Sequence, residues 1–341
     1  MESRAAILKE FGKPLEMGNI KLQEAKGEGV IIKVEGAGMC RTDLRIWKGT
    51  EPRPGLNLPF VLGHENAGTV VEVGEEVKGL KKGDKVIVYA VWGDQTCKYC
   101  REGKYMLCRN QTVPGQSFYF GGFSEFMYVP SFKFLYKINI DPVIAAPLAD
   151  AGLTSYSAVK KSLRFLGADS TVILYGFGGL GIYALQELKI LAPYVNVIAV
   201  ARSEQKLDLI EKLGAIPSKP EELKSIIDKI TNGNGASVAI DFVGNEESTL
   251  NISKNLESGG TIIEVGMEGK NLRIPTFDSV VWEYQLIGSN YGTMNELGEI
   301  VNLTERELIK PYIIKRKLDE INYALNDLEK GEVLGRQVII P

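Results

Sequence analysis

The stretch that most constrains the fold lies at 171–191. Thr171-Val-Ile-Leu-Tyr175 is an unbroken apolar run of strand length, the pattern of a strand covered on both faces. It leads directly into Gly176-Phe-Gly-Gly-Leu-Gly181, and residues 182–191 then read as a helix. A Gly-x-Gly-x-x-Gly alone says little, because glycines recur in turns. Between a buried strand and a helix it has the context of a dinucleotide-binding turn. There Gly176 permits the tight turn, Gly178 lets backbone approach a pyrophosphate, and Gly181 lets helix and strand pack closely. The helix N-terminus offers unpaired N–H groups to the phosphates. An ordinary strand-to-helix turn is the bland alternative; a second strand and helix following at the right distance argue against it.

The end of that second strand bears on cofactor choice. NAD sites place a carboxylate there for the ribose hydroxyls. This chain reads Ala201-Arg202-Ser203, with Lys206 nearby. Without a carboxylate nothing repels a 2′-phosphate, and Arg202 offers a charge-assisted donor. NADP is the expected cofactor. NAD stays open as an alternative, with Arg202 merely solvated.

Further strands are expected at 195–201, 238–243, 260–265 and 286–288, and helices at 154–166 and 204–213. Strands alternating with helices predict an α/β, doubly wound parallel sheet. The first 140 or so residues differ. Val/Ile runs at 29–35, 68–73 and 85–89, punctuated by Gly, Pro and Asp, predict a compact β-rich domain. The tail from 295 holds helical segments and ends in a strand-like run at 336–340. A chain of 341 residues accommodates roughly two domains.

With 44% hydrophobic and 24% charged residues, the chain is not of disordered composition. A net charge of -3 argues against a nucleic-acid footprint. No apolar run reaches the roughly 20 residues needed to span a bilayer, and the N-terminus lacks a signal-peptide core. A cytoplasmic protein with neither membrane nor nucleic acid as partner is expected.

Only four cysteines and one histidine are present. Asp94, Cys97, Cys100 and Cys108 have the clustered spacing of a closed tetrahedral structural zinc lobe. Asp94 supplies oxygen where thiolate is more usual, a harder and less zinc-selective donor. A Cys97–Cys100 redox pair or free thiols are the alternatives. Cys40, His64 and Asp150 are zinc-ligand types too, and three ligands leave a fourth position open, the catalytic arrangement. Only the fold can bring them together. Each also has an ordinary reading: Cys40 as a small buried residue, His64 as a turn histidine, Asp150 as a helix cap.

Together these motifs resemble the zinc-dependent medium-chain alcohol dehydrogenases. The carrying segments are Gly38-Met-Cys40-Arg-Thr-Asp43, Gly63-His-Glu65-Asn-Ala-Gly68, the 94–108 lobe, Pro147-Leu-Ala-Asp150-Ala-Gly152, the 176–181 turn and Gly335-Arg-Gln-Val338. They span almost the whole chain in family order. The resemblance implies a GroES-like catalytic domain over 1–149 and 289–341 and a Rossmann domain over 150–288. It implies a catalytic zinc held by Cys40, His64 and Asp150, with Glu65 as a near-metal carboxylate. Asp43 orients His64, and Thr42 takes the substrate proton. Arg41 and Arg336 contact pyrophosphate, and Thr154 the nicotinamide side. The expected cofactor set is completed by Gly176, Gly178, Gly179, Leu180, Gly181, Arg202, Ser203, Lys206, Val243, Val265 and Asn290. Two zinc ions per chain and a homo-dimer or homo-tetramer are expected.

Two departures stand out. Arg45 occupies the position of the family's relay histidine, and Asp94 that of the first lobe cysteine. Within the family, Cys40-Arg-Thr-Asp-Leu-Arg-Ile-Trp-Lys-Gly49, Tyr89-Ala-Val-Trp-Gly-Asp94, Ala146-Pro-Leu-Ala-Asp-Ala-Gly152 and Gly288-Ser-Asn-Tyr-Gly292 are similar to archaeal sugar dehydrogenases. That likeness implies oxidation of the anomeric hydroxyl of a pentose such as D-arabinose, or a 6-deoxyhexose, with NADP. Arg45, Trp47 and Trp92 are candidates for sugar hydrogen bonds and stacking, or equally for packing and surface. The alternative activity is an NAD(P)-dependent secondary alcohol dehydrogenase.

Overall fold

The computed structural model describes every residue except Pro52 and Glu332. The chain divides into two compact units, Met1–Leu153 with Gly292–Pro341, and Thr154–Tyr291. None of the described helices is long and apolar enough to cross a membrane.

Among the described residues, the second unit carries a six-stranded parallel sheet. Its spatial order is Ile216–Ser218, Asn196–Val200, Thr171–Tyr175, Ala236–Asp241, Leu256–Glu264, Gln285–Gly288. Thr171–Tyr175 and Ala236–Asp241 are buried along their whole length, which is why they read as unbroken rather than alternating apolar runs. The connection order reverses at Thr171–Tyr175, so a ligand crevice is expected outside its carboxyl end. Tyr175 pairs with Val200 on one side and Asp241 on the other, and Asp241 pairs with Glu264. The strand ends are therefore level, and the loops leaving them share one rim.

One face of this sheet presents Ile173, Tyr175, Ile198, Val200 and Ile262 to Leu223, Ile227 and Ile252. Leu223, Ile226, Ile227 and Ile230 recur at helical spacing along Leu223–Thr231 and make its apolar stripe. That helix stops at Asn232, whose φ of 53° is the left-handed conformation that ends helices. Each fully buried large aliphatic contributes about 1.5–3 kcal/mol, so this face anchors the strands whose ends carry the loops.

The first unit is built on a mixed seven-stranded sheet. The main path runs Ile313–Lys317, Arg336–Ile340, Val30–Gly38, Glu65–Val73, Lys85–Val88, Leu135–Lys137, and Phe126–Val129 also pairs with Val30–Gly38. A three-stranded sheet, Glu16–Lys21, Glu2–Leu8 and Phe60–Val61, completes it. The C-terminal strand Arg336–Ile340 joins this unit antiparallel to Val30–Gly38.

Two boundaries differ from expectation in ways that matter for the site. The strand expected at 68–73 begins at Glu65, because Glu65, Asn66 and Ala67 pair with Gly38, Ala37 and Gly36. The helix expected at 154–166 starts at Ala151 and ends at Ser162, a 3-10 turn covering Leu163–Phe165.

Candidate active site

The first unit assembles one cluster from four separated segments. Helix Arg41–Trp47 begins immediately after Cys40, and Asp43 in its first turn closes a capping box. Asp43 Oδ2 accepts the Cys40 N–H at 2.8 Å, and its Oδ1 accepts the Gly63 N–H at 3.3 Å. The same Oδ1 lies 3.1 Å from His64 Nδ1. A carboxylate there fixes the proton on Nδ1 and leaves Nε2 as the lone-pair nitrogen. Nε2 lies 3.4 Å from Asp150 Oδ2.

Cys40, His64, Glu65 and Asp150 are all buried, and one ligand atom from each lies within 4.8 Å of the others. Arg336 holds Glu65 in place. Its Nε donates to the two Glu65 oxygens at 3.0 and 2.9 Å, and its Nη2 reaches Glu65 and, at 3.3 Å, Asp150 Oδ2. Gly38 opposite leaves the room, since a Cβ there would lie 1.9 Å from Glu65 Oε2. Burial pushes the Glu65 carboxyl up to about 7, against the pull of Arg336. Buried carboxylates at this density need compensating charge. A thiol, an imidazole nitrogen and a carboxylate, with Glu65 tied to Arg336, form a donor set that fits a zinc ion with an open position.

Thr42 lies beside this cluster, its Oγ1 3.7 Å from Cys40 Sγ. Arg45 donates to Thr42 Oγ1 at 3.0 Å. Trp92 is an interior residue. It is 2% exposed, stacks on Phe134 and donates its indole N–H to the Tyr89 carbonyl at 2.7 Å. An interior ring with its one donor satisfied is a core residue. Trp47 is half-buried and donates to the Lys13 carbonyl.

The second cluster is local. Asp94, Cys97, Cys100 and Cys108 also bring one ligand atom each within 4.8 Å, with Cys100 and Cys108 buried and the other two half-buried. Asp94 Oδ1 accepts the N–H groups of Cys97 and Thr96 at 3.0 and 2.9 Å, and Oδ2 accepts from Asn110. These bonds hold its carboxyl well below the ordinary carboxylate range. The Cys100 N–H lowers the Cys97 thiol, whereas burial pushes the Cys100 thiol up to about 12. The Asp94 N–H donates to Cys108 Sγ at 3.5 Å. Three thiols and a carboxylate converging here fit a closed zinc site.

In the second unit Gly176 has φ +97°, and a Cβ on Gly181 would lie 2.5 Å from the Gly176 carbonyl. Turn and helix therefore close only with glycine at both positions. Gly178 differs: a Cβ there would meet nothing within 4 Å. That open space faces the start of helix Gly179–Leu191 and fits a pyrophosphate. Gly179 and Leu180 are half-buried in its first turn. Arg202 and Ser203 are exposed past Asn196–Val200, and Lys206 is half-buried in helix Glu204–Lys212. Val243 and Val265 follow the strands Ala236–Asp241 and Leu256–Glu264, and Asn290 follows Gln285–Gly288, so all three lie on the same rim. Thr154 is buried in its helix, and Arg41 is exposed at the start of Arg41–Trp47. Arg336, expected at the pyrophosphate, donates to Glu65 and Asp150 in this structure.

The sequence reading missed Glu51 and Arg53. Glu51 accepts from Arg45 Nε at 2.5 Å and from Arg53 through its other oxygen. The one signal available was the density of charge at 45–53.

Comparison with known proteins places these features. The family model for the alcohol dehydrogenase GroES-like domain matches residues 26–140, and that for the zinc-binding dehydrogenase domain matches residues 179–306. The chain is 51% identical to the D-arabinose 1-dehydrogenase (NADP(+)) of Saccharolobus solfataricus, across 100% of this chain and 98% of that protein. It is 37% identical to an NAD-dependent alcohol dehydrogenase of Sulfurisphaera tokodaii, across 99% and 100%. The crystal structure of the D-arabinose dehydrogenase from Sulfolobus solfataricus superposes with a TM-score of 0.91 at 48% identity, covering 100% of both chains. That of the alcohol dehydrogenase from Aeropyrum pernix does so with a TM-score of 0.92 at 41% identity, covering 99% of this chain and 100% of that one. Identity of this extent leaves no segment of the chain outside the match, and the protein is a dehydrogenase of the zinc-dependent medium-chain alcohol dehydrogenase family.

Proposed function

We propose that this dehydrogenase oxidises the anomeric carbon of an aldose, D-arabinose or a related pentose or 6-deoxyhexose, with NADP, giving the aldonolactone. The observation that carries the substrate is the full-length likeness to a D-arabinose 1-dehydrogenase. We take Met1–Leu153 with Gly292–Pro341 as the catalytic unit and Thr154–Tyr291 as the dinucleotide-binding unit.

Cys40, His64 and Asp150 would hold a catalytic zinc, and Asp94, Cys97, Cys100 and Cys108 a structural one. Bound zinc supplies Lewis acidity: it lowers the pKa of water from 15.7 to about 7, and a comparable shift in an alcohol amounts to roughly 12 kcal/mol. The turn at Gly178 would hold NADP, which would supply the hydride acceptor. The protein's own residues set the geometry and handle the proton. Asp43 fixes the His64 tautomer and aims Nε2 into the cluster. The Thr42 hydroxyl receives the substrate proton. Arg45 donates to the Thr42 oxygen and, as a guanidinium, cannot pass a proton on. The onward route therefore runs through water or the cofactor ribose.

Exposed Arg202 beside buried Ala201 supports NADP. Arg202→Ala should weaken NADP by about 1.5–3 kcal/mol and leave NAD affinity close to wild type; an unchanged ratio of dissociation constants overturns the assignment. For the substrate, kcat/KM for D-arabinose or a stereochemically related aldose should exceed that for propan-2-ol or cyclohexanol. Better turnover of simple alcohols favours the secondary alcohol dehydrogenase reading.

A homo-dimer or homo-tetramer in the cytoplasm goes with this proposal. Support for assembly comes from Phe277, Val280 and Val281 on helix Thr276–Val281, Trp282 just past its end and Leu286 on the sheet's edge strand Gln285–Gly288, all exposed. Contiguous apolar surface beside an unpaired strand edge marks a protein contact.

A further inference from the structure

We propose that Arg45 and Arg53, clamped together by Glu51, form a substrate-specificity subsite: a fixed array of guanidinium donors for the hydroxyl oxygens next to the reacting carbon. The proposal rests on the aldose reading above and names the residues that would enforce it. Arg45 Nε is held by Glu51 Oε2 at 2.5 Å, and Glu51 Oε1 takes Arg53. Two guanidinium groups on one carboxylate leave a net positive charge. The side chains are only 23%, 25% and 28% exposed for Arg45, Glu51 and Arg53, so they are held against the protein rather than dispersed in solvent.

Two observations turn this ion pair toward a ligand. Arg45 Nη2 already donates to Thr42 Oγ1, and Thr42 lies against Cys40. The array is thus one hydrogen bond removed from the proton-accepting hydroxyl. Secondly, Arg53 Nε is buried and has no acceptor among the described residues. A buried donor without a partner is costly, and an incoming oxygen would relieve it. Guanidinium is a permanent donor of fixed fork geometry. It suits an acceptor-rich polyol and offers nothing to a simple secondary alcohol, whose one oxygen is engaged at the reaction centre. Sites built on such donors reject analogues lacking the matching oxygen far more strongly than apolar pockets reject by size.

The test uses the zinc-loaded enzyme with NADPH, which cannot accept a hydride, so sugar binding is read without turnover. Titration calorimetry with D-arabinose should show Kd raised about 10-fold or more in Arg53→Met, with partial recovery in Arg53→Lys. In steady state the loss should fall mainly on KM for the aldose, and the aldose to propan-2-ol ratio of kcat/KM should drop about 10- to 100-fold. Melting curves of both variants check that they are folded. If Arg53→Met and Glu51→Gln both leave Kd and the ratio within about twofold of wild type, the subsite is overturned while the aldose reading stands. If wild type prefers propan-2-ol, both fall together.

Discussion

Asp94, Cys97, Cys100 and Cys108 come from one stretch of chain, whereas Cys40, His64, Glu65 and Asp150 are gathered from positions 40 to 150. The first cluster is held by its own backbone: Asp94 caps the N–H groups of Thr96 and Cys97, and helix Lys98–Arg101 starts at Cys97. The second is held by side chains from elsewhere, Asp43 on His64 and Arg336 on Glu65. Half the lobe's ligands are partly exposed, while all four in the other cluster are buried. The difference teaches that similar donors can serve opposite ends. A local loop brings its donors together through its own backbone turns, whereas a buried set assembled across a sheet relies on side chains from distant segments to hold it.

That contrast can be broken most directly at His64. His64→Ala should cut turnover by about 10³-fold or more, because no other imidazole exists in the chain to replace it. Bound zinc should fall from two to one per chain with NADP binding kept. Retention of both ions, or substantial turnover by metal-free protein, would refute the catalytic assignment. Asp43→Asn is a gentler probe. Loss of an orienting carboxylate behind a ligand histidine costs about 10–100-fold in metal affinity or activity, and here it should appear in both without changing the lobe's metal.

Cys100→Ser tests the other side. It should lower the melting temperature clearly while changing kcat per folded, zinc-loaded molecule less than about threefold, the reverse of Asp43→Asn. A large kcat loss at unchanged Tm would erase the distinction between the clusters. The smallest effect is in pH. Burial holds the Cys100 thiol up at about 12 in the metal-free lobe, so the thiol is protonated at neutral pH and must lose that proton to bind metal. Zinc affinity of the lobe should therefore rise with pH between 6 and 8, with about one to two protons released per ion. Competition against a chromophoric chelator measures this. Affinity that is flat over this range would mean that the thiols are already ionised.

Much of this was legible in the chain. The 171–181 run needs only its own residues: an apolar strand, glycines where the turn and the helix approach exclude a Cβ, and a helix start. The sheet around it follows from alternation. The lobe was legible for the same reason, because its four donors share one short loop. Glu65, by contrast, belongs to a strand whose extension to residue 65 depends on pairing with Gly38, and no local propensity signals that pairing. Arg336 was legible as a candidate, but its contact with Glu65 was not. That contact spans 271 positions, and nothing in composition or spacing encodes it. Trp92 offered an aromatic ring beside a metal loop in sequence; only the stacking of Phe134 beside it shows that the ring is interior.

The division follows from how far each interaction reaches. Residues near in sequence have few ways to meet, so hydrophobic period, turn chemistry and ligand spacing determined the nucleotide turn, the α/β unit and the lobe. The buried cluster depends on which strands lie side by side and which charges are dehydrated together. Those are properties of packing. The same Glu and Arg residues would be ordinary surface groups in another fold, and tertiary structure alone put Arg336 against Glu65 and Asp150.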